Sequence, residues 1–349
     1  MQRAVLLSGE HPTMPAAELR ALVDVHAPGA TVTVEGLVAI VEGADADLLD
    51  AALRRMALAH DWGEPWAQAA DSPHGLAALY EVVRGRATGV GSAAVVTQRR
   101  GRDKSPRVLQ VERSLGAALK EAGHTIDLVA PETTVYAWLA GGAIRIGKQL
   151  GKTDRSAFEA RSNDERAHFS PVALHPRRAA ALLHLARAPP GATVYDPFCG
   201  TGSFVLEAAL EGYDAVGSDL DSFMVQGTLS TLADAGDAPL AGSCFVADIG
   251  DAPDLIGPVD AIVADLPYGR ASGTDGEGLG ALYTRAMKSF AALLAPGGHA
   301  VIGCARPELL AGIEAEGFVV VERHEDAVHK SLTRHFIVVK RVAAVGRDG

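Results

Sequence analysis

The sequence predicts an α/β fold whose second half is built on a mostly parallel β-sheet with antiparallel strands at one edge. Two observations carry this prediction. From Pro171 onward, short apolar segments alternate with helical patterns. Apolar strands separated by helices are typical of a parallel sheet that is buried on both faces. The last two strands, 318–323 and 335–340, are too close in sequence for a crossover helix, so we expect them to pair antiparallel.

The first 151 residues predict two small α+β domains. Residues 1–60 show a strand, a helix, two short strands joined by Gly36 and a second helix capped by Asp45 or Asp47, at 3–8, 15–27, 31–35, 37–42 and 45–59. Residues 61–151 predict helices and strands around a basic loop at 98–106, with helices at 73–83 and 107–122 and strands at 92–97, 125–129, 133–139 and 143–146. Residues 152–170 are polar without apolar periodicity and predict a linker.

Residues 171–343 then form the predicted parallel-sheet domain. Its remaining strands are expected at 193–195, 215–218, 244–247, 261–264 and 299–304. The composition fits folded domains, because 48% of the 349 residues are hydrophobic and 21% are charged. The sequence contains no apolar stretch of the ~18 residues that span a bilayer, and the run at 4–7 is too short for a signal peptide, so we expect a cytoplasmic protein. The three cysteines form no C-x-x-C pair, which predicts neither disulfides nor a zinc site.

The distribution of charge along the chain tells more about a nucleic-acid partner than the net charge does. The net charge of -11 argues against a nucleic-acid partner, because contacts to phosphates need clustered Lys and Arg. Residues 84–113, however, hold eight basic and two acidic residues. Such a run is either a solvated face or an RNA-binding segment.

A glycine-rich turn follows the first strand of the predicted sheet, at residues 196–203. Asp196-Pro197-Phe198-Cys199-Gly200-Thr201-Gly202-Ser203 runs into a helix, which places backbone N–H groups at the carboxyl edge of the sheet. A dinucleotide fingerprint would continue with a third glycine at position 205, where this chain has Val205. The Asp-Pro before the glycines instead favours a ligand that carries an amino acid and a sulfonium.

Carboxylates also end the next two strands. Asp219 lies 23 residues after Asp196, where a carboxylate grips a ribose diol in such folds. The alternative role for Asp219, capping the following helix, suits Asp221 better. Asp248 ends the third strand, where we expect it either to contact an adenine ring or to cap a helix.

The most specific motif is Asp265-Leu266-Pro267-Tyr268-Gly269, directly after the apolar strand 261–264. An acid, a rigid turn and an aromatic side chain at the carboxyl end of a strand lie where ligands bind in α/β sheets. A plain β-turn is the alternative.

Together these motifs resemble the THUMP-containing tRNA guanosine N2-methyltransferases that act on guanosine 10 in archaea and eukaryotes. The resemblance runs from about residue 90 to 341. The glycine-rich turn is similar to the family's S-adenosylmethionine motif, and residues 265–269 are similar to its D-P-P-Y-G amino-methylation motif. Residues 161–176 resemble the junction that completes the cofactor pocket, and 329–334 resemble the family's ending. Leu266, Ser203 and Thr231 depart from the usual Pro, Gly and Asn.

The resemblance implies a small N-terminal domain at 1–60, a THUMP RNA-binding domain at 61–151, a linker at 152–170 and a Rossmann-like class I methyltransferase domain at 171–343. It implies S-adenosylmethionine as cofactor, tRNA as substrate and, as in some relatives, a small zinc-binding activator protein. We expect no metal site. The expected cofactor residues are Asp196, Phe198, Gly200, Gly202, Asp219, Asp248, Phe169 and His175. The expected RNA contacts are Arg99, Arg100, Arg102, Lys104 and Arg107.

The implied chemistry is methylation of an exocyclic amine. Asp265 and the carbonyl of Leu266 would accept the two N–H bonds of the amine, Pro267 would shape the turn, and Tyr268 would stack on the extracted base. Four alternatives stay open: another tRNA guanosine such as position 6, an amine of rRNA, an amine of DNA, and a non-catalytic THUMP RNA-binding protein.

Overall fold

The computed structural model describes residues 1–100, 107–162, 173–235, 242–268, 278–329 and 332–342. The chain divides into two compact units, Met1–Thr153 and Asp154–Gly349. We call them unit 1 and unit 2. Within the described residues, no helix is long and apolar enough to cross a membrane.

Unit 1 is an eight-stranded sheet in the order β2-β3-β1-β4-β8-β7-β5-β6, with helices packed on it. Its elements are β1 (Gln2–Leu7), α1 (Met14–His26), β2 (Thr31–Glu35), β3 (Val38–Glu42), α2 (Ala46–Arg54), β4 (Ala59–Ala70), α3 (Pro73–Arg86), β5 (Ser92–Arg99), α4 (Val108–Glu121), β6 (Thr125–Ile126), β7 (Thr133–Ala140) and β8 (Ala143–Lys152).

Strand β4 is the main departure from the expected elements of unit 1. The predicted helix 45–59 ends at Arg54, and β4 follows as a twelve-residue strand that the sequence did not predict. Its segment is poor in β-branched residues and contains Gly63 and Pro65, but it pairs with β1 on one side and β8 on the other. Pairing on both sides overrides weak local propensity. The ladder shifts register at Pro65, which cannot donate a backbone hydrogen bond.

The shared strand also bears on the domain boundary expected near residue 60. Strand β4 begins at Ala59 and belongs to the same sheet as β1–β3 and β5–β8. The two small domains expected at 1–60 and 61–151 therefore share one sheet within one compact unit. The segment expected as a linker begins with the last residue of β8 and contains a short helix, α5 (Arg155–Glu159).

Unit 2 contains the predicted parallel sheet with its antiparallel edge. The order is β11-β10-β9-β12-β13-β15-β14; the first five strands pair in parallel, and β14 and β15 are antiparallel. The elements are α6 (Pro176–Leu185), β9 (Thr193–Asp196), α7 (Ser203–Leu210), β10 (Asp214–Asp219), α8 (Ser222–Asp234), β11 (Gly242–Val246), α9 (Ala252–Ile256), β12 (Val259–Asp265), α10 (Leu279–Leu293), β13 (Leu294–Cys304), two short 3₁₀ helices, β14 (Phe318–His329) and β15 (Leu332–Arg341).

The core of unit 1 contains an acid, Asp61, whose burial no sequence pattern predicted. Asp61 of β4 is fully buried, and its Oδ2 accepts amide hydrogens from Gln98 at 2.8 Å and Gln149 at 2.9 Å. Burial nevertheless raises the pKa of Asp61 to about 6, because desolvation outweighs these hydrogen bonds. The folded state therefore favours the protonated acid.

We expect unit 1 to lose stability as the pH rises through about 6, because folding then buries a charge. The contribution of Asp61 is fully present below its ordinary pKa, near 4, and amounts to about 3 kcal/mol at most. Asp61→Asn should remove this dependence, whereas Asn at the exposed Asp47 should not. Urea unfolding followed by tryptophan fluorescence reports unit 1 alone, since Trp62, Trp66 and Trp138 are the three tryptophans of the chain. The expectation would be contradicted if wild type and Asp61→Asn differed in free energy of unfolding by the same amount at pH 4 and at pH 7.5.

Candidate functional site

The candidate site lies where the strand order of unit 2 reverses. From β9 the chain adds β10 and β11 on one side and then returns to place β12 on the other side. The reversal opens a crevice at the carboxyl ends of β9 and β12, the usual ligand position in open α/β sheets. Asp196 is the last residue of β9 and Asp265 the last residue of β12. The two motifs singled out in the sequence therefore end neighbouring parallel strands.

The glycine-rich turn after β9 is held in a conformation that needs its glycines. Gly200 has φ +52° and Gly202 has φ +86°, both in the left-handed region. A Cβ at position 202 would also lie 2.9 Å from Thr228 of α8. The Thr228 hydroxyl donates to the Gly200 carbonyl at 2.8 Å, so α8 fixes the turn from below. Helix α7 begins directly after it, at Ser203.

Two neighbouring acids of the crevice, Asp219 and Asp265, act on the pKa of Asp196. Asp196 is 3% exposed, and its Oδ1 accepts the Phe198 amide hydrogen at 3.1 Å. Burial raises the pKa of Asp196 well above its usual range, and the nearby Asp219 and Asp265 raise it further. Three carboxylates that face one crevice favour a cationic ligand. S-adenosylmethionine carries an ammonium group and a sulfonium, so this donor set fits the expected cofactor.

Asp219 connects the end of β10 to the glycine turn. Its Oδ2 accepts the Gly200 amide hydrogen and its Oδ1 accepts that of Asp221, both at 3.0 Å. Burial raises the pKa of Asp219, while these hydrogen bonds lower it. The cap of α8 is Asp221, whose Oδ1 accepts from Phe223 at 2.8 Å. Asp219 is therefore not the helix cap, and ribose binding stays its predicted role.

Asp248 is held by a partner that the sequence did not predict. Its carboxylate accepts the Gly250 amide hydrogen at 2.7 Å and pairs with Arg285 of α10, whose Nη2 lies 3.2 Å from Oδ2. The Arg285 guanidinium lowers the pKa of Asp248. Helix α9 has Asp251 at its N-cap position, so Asp248 does not cap it. Contact with an adenine ring stays a prediction for Asp248.

The loop after β12 is anchored at three points. The Leu266 amide donates to the Gly303 carbonyl of β13 at 2.8 Å, and the Leu266 side chain is 1% exposed in the core. The Pro267 carbonyl accepts the hydroxyl hydrogen of Tyr283, which α10 supplies at 2.9 Å. The Tyr268 hydroxyl donates to Oδ1 of Asp265. These contacts fix Asp265 against Tyr268 rather than leaving an ordinary exposed turn.

Arg334 of β15 completes this group. A guanidinium nitrogen lies 3.6 Å from Oδ2 of Asp265, and its central carbon lies 5.2 Å from the Tyr268 ring centre. Burial raises the pKa of Asp265, whereas Arg334 and the Tyr268 hydroxyl lower it, with burial the largest effect. In the sequence, Arg334 stands out only as the last residue of the family-like ending 329–334, and no role was predicted for it.

The remaining expected cofactor residues are Phe198, His175 and Phe169. Phe198 packs, partly buried, against the main core of unit 2. His175 caps α6, since its Nδ1 accepts the Arg177 amide hydrogen at 3.3 Å, and its Nε2 lies 3.4 Å from Glu159. Phe169 lies outside the described residues.

Two contacts near the glycine turn were missed because they join residues distant in sequence. Arg161 donates to both carboxylate oxygens of Glu207 at 2.8 Å, which ties the segment after α5 to the buried side of α7. The thiols of Cys199 and Cys244 lie 3.4 Å apart, although their spacing of 45 residues predicted no contact. Both are free cysteines.

The basic segment of unit 1 is only partly described. Arg99 and Arg100 are partly buried at the end of β5, and Arg100 donates to the Gln98 side chain at 2.9 Å. Arg107 pairs with Asp71 at 3.2 Å. Arg102 and Lys104 lie outside the described residues.

Comparison with known proteins assigns unit 2 to a methyltransferase domain. A family model described as RMKL-like, methyltransferase domain, matches residues 163–335. The chain is 32% identical over 345 residues to the tRNA (guanine(10)-N2)-dimethyltransferase of Methanothermobacter thermautotrophicus, which covers 98% of this chain and 100% of that protein.

Two matches come from Thermus thermophilus. The tRNA (guanine(6)-N2)-methyltransferase is 34% identical over 257 residues, covering 69% of this chain and 70% of that protein. The crystal structure of TrmN matches with a TM-score of 0.57 at 25% identity, covering 98% of this chain and 100% of that chain. The similarity to TrmN extends over both units of this chain.

We expect Asp219→Ala to weaken S-adenosylhomocysteine binding by about ten- to a hundredfold, because a charged acceptor is lost and the glycine turn loses its anchor at the Gly200 amide. Asp221→Ala removes only the cap of α8 and is the matched control. Isothermal titration calorimetry of both variants measures the affinities. Wild-type affinity in Asp219→Ala would move the ribose contact elsewhere.

Proposed function

The chain belongs to the tRNA (guanine(10)-N2)-dimethyltransferase family, and we propose that it methylates the exocyclic N2 amine of guanosine 10 in tRNA. It is an S-adenosylmethionine-dependent tRNA (guanine-N2)-methyltransferase. Full-length similarity to a dimethyltransferase supports the addition of two methyl groups. We place the protein in the cytoplasm with its substrate.

One observation carries the proposed chemistry: Asp265 is held at the carboxyl end of β12, in the crevice where Asp196 ends the neighbouring strand. The guanine amine is a poor nucleophile because its lone pair is conjugated with the ring. Asp265 and the carbonyl of Leu266 can each accept one of its N–H bonds and so localise the lone pair. The Pro267 carbonyl accepts from Tyr283 and contributes the shape of the turn.

S-adenosylmethionine supplies an electrophilic methyl group when bound. Asp196, the glycine turn and Asp219 would hold it, and Asp248 would face its adenine. After transfer the amine carries a positive charge, which the Asp265 carboxylate stabilises until a proton leaves. The Arg334 guanidinium covers one face of the Tyr268 ring. The other face is the surface on which we propose that the extracted guanine stacks.

Unit 1 supplies the RNA-binding part of this proposal. We assign residues 61–151, strands β4–β8 with α3 and α4, to a THUMP domain that shares its sheet with the N-terminal residues 1–60. The proposed phosphate contacts are those of the basic segment: Arg99, Arg100, Arg102, Lys104 and Arg107. Of these, Arg107 would exchange its Asp71 partner for a phosphate.

A small zinc-binding activator is the partner that we propose for unit 2. Strand β11 is the end strand of the described sheet, and Val246 on it is 51% exposed. An exposed edge can accept a strand from another protein. Turnover of the purified chain with and without such an activator tests this, and full turnover of the chain alone would argue against the need for it.

The main alternative within the family is guanosine 6. It is supported by the similarity to the Thermus guanine(6) enzyme. Against it stands the coverage of the two matches, because the guanine(10) enzyme of Methanothermobacter matches 98% of this chain and the guanine(6) enzyme matches 69%. The amines of rRNA and DNA and a non-catalytic RNA-binding role have no specific feature of the described structure in their favour.

We expect Asp265→Asn to slow single-turnover methyl transfer at saturating cofactor and tRNA by at least about tenfold, and Asp265→Ala by more. Asn keeps an acceptor but loses the charge, and charged hydrogen bonds are about twice as strong as neutral ones. The affinities for S-adenosylhomocysteine and tRNA should change little. Near wild-type transfer by Asp265→Ala would contradict both the catalytic assignment of Asp265 and the proposed amino-methylation chemistry.

A steric variant tests the same acid without removing it. A Cβ at Gly303 would overlap Oδ1 of Asp265, so Gly303→Ala must displace the carboxylate. We expect transfer to slow by about ten- to a hundredfold, since catalysis depends on sub-ångström placement. Gly280→Ala, where a Cβ meets only Leu309 at 3.7 Å, is the control. Equal rates for both variants would mean that the position of Asp265 is unimportant.

For the basic segment, we expect replacement of Arg99, Arg100, Arg102 and Lys104 by Ala to weaken tRNA binding and flatten its salt dependence. Each lost phosphate contact lowers the log-log slope by about 0.7 to 0.9. Transfer at saturating tRNA should survive. Replacing the exposed Lys148 and Lys152 of β8 controls for general loss of surface charge. An unchanged slope in the fourfold variant would rule out these phosphate contacts.

A further inference from the structure

Arg334 reaches the reactive edge of the sheet because its strand is antiparallel. Strands β12 and β13 end at this edge, whereas β15 begins there. The last pair of the β13–β15 ladder is Cys304 with His335, and Arg334 precedes it. The antiparallel strand thus brings a cation to the edge where Asp265 ends β12.

Burial of the Arg334 guanidinium costs free energy, which a nearby negative charge can offset. Its side chain is only 7% exposed, and burying an uncompensated guanidinium is expensive. The carboxylate of Asp265 lies 3.6 Å away, too far for a direct hydrogen bond but close enough for strong attraction in a buried setting. Asp326, opposite Arg334 on β14, is itself paired with Arg178. The guanidinium also lies over the Tyr268 ring, 5.2 Å from its centre.

We propose that Arg334 is a positioning residue for methyl transfer: it keeps Asp265 as a carboxylate directed at the substrate amine, and it holds the Tyr268 ring by covering one face. This inference rests on the proposed function. It adds a residue that lies outside both sequence motifs and that acts through Asp265 and Tyr268. Its two actions are separable, because charge acts on Asp265 and the planar guanidinium acts on Tyr268.

The effect on pH dependence has a definite sign. Among the residues that the structure describes, the ionisable groups that act on Asp265 or that it acts on are Arg334 from β15, Tyr268 from its own loop, Asp196 from β9, Tyr283 from α10 and Cys304 from β13. Burial raises the pKa of Asp265, and the cation of Arg334 opposes that rise. Without the cation, Asp265 would stay protonated to higher pH. A protonated Asp265 cannot stabilise the cationic amine, so the acidic limb of the pH–rate profile would move to higher pH.

The test is the pH profile of single-turnover methyl transfer to tRNA, measured for wild type, Arg334→Gln and Arg334→Lys. Arg334→Gln should move the acidic limb to higher pH and slow transfer by about tenfold or more on that limb. Arg334→Lys should restore the limb, because it keeps the charge, but transfer at the plateau should stay slower because an ammonium group does not cover the ring. Arg323→Gln, an exposed arginine on β14, is the control and should match wild type.

A wild-type pH profile for Arg334→Gln would overturn the inference, and so would a displaced limb for Arg334→Lys. S-adenosylhomocysteine binding reports whether unit 2 is folded. If Arg334→Gln fails to fold, Arg334→Lys decides, because a limb at the wild-type pH with a lower plateau is then required. Wild type and Arg323→Gln separate this result from the proposed function, since absence of transfer by both contradicts the function itself.

Discussion

Burial of three carboxylates at one edge of a parallel sheet is the constraint on which the site in unit 2 depends. Asp196, Asp219 and Asp265 end the neighbouring strands β9, β10 and β12, and the pKa of each is raised by burial. Such a cluster is stable only with donors and cations around it. The structure provides backbone N–H groups to the first two, and Tyr268 and Arg334 to the third. A sulfonium cofactor and an amine that becomes cationic are the ligands that such a crevice favours.

The departures from the family motifs have local explanations. Leu266 replaces a Pro and uses the N–H that Pro lacks, donating it to Gly303 at 2.8 Å. Ser203 replaces a Gly, and its hydroxyl donates to the Leu174 carbonyl at 3.4 Å. Thr231 replaces an Asn, and its hydroxyl donates to the Thr201 carbonyl at 3.4 Å. Each replacement thus contributes a hydrogen bond that holds one of the two loops.

The sequence predicted the parts of the fold that depend on local pattern. Strand-to-helix alternation predicted the parallel sheet, and the acids Asp196, Asp219 and Asp265 lie at the ends of its strands. Tertiary contacts decided the rest. Strand β4 forms because it is paired on both sides, although its own residues favour a strand weakly. Arg285, Tyr283 and Arg334 act on motif residues from elements that come later in the chain, and no spacing rule connects them.

The central claim is that this chain methylates N2 of guanosine 10 in tRNA. The most direct measurement is mass spectrometry of nucleosides and mapped fragments from tRNA incubated with the protein and methyl-labelled cofactor. We expect labelled N2-methylguanosine and N2,N2-dimethylguanosine at position 10, and no label when guanosine 10 is replaced. Label at guanosine 6, on another base, or on no nucleoside at all would contradict it.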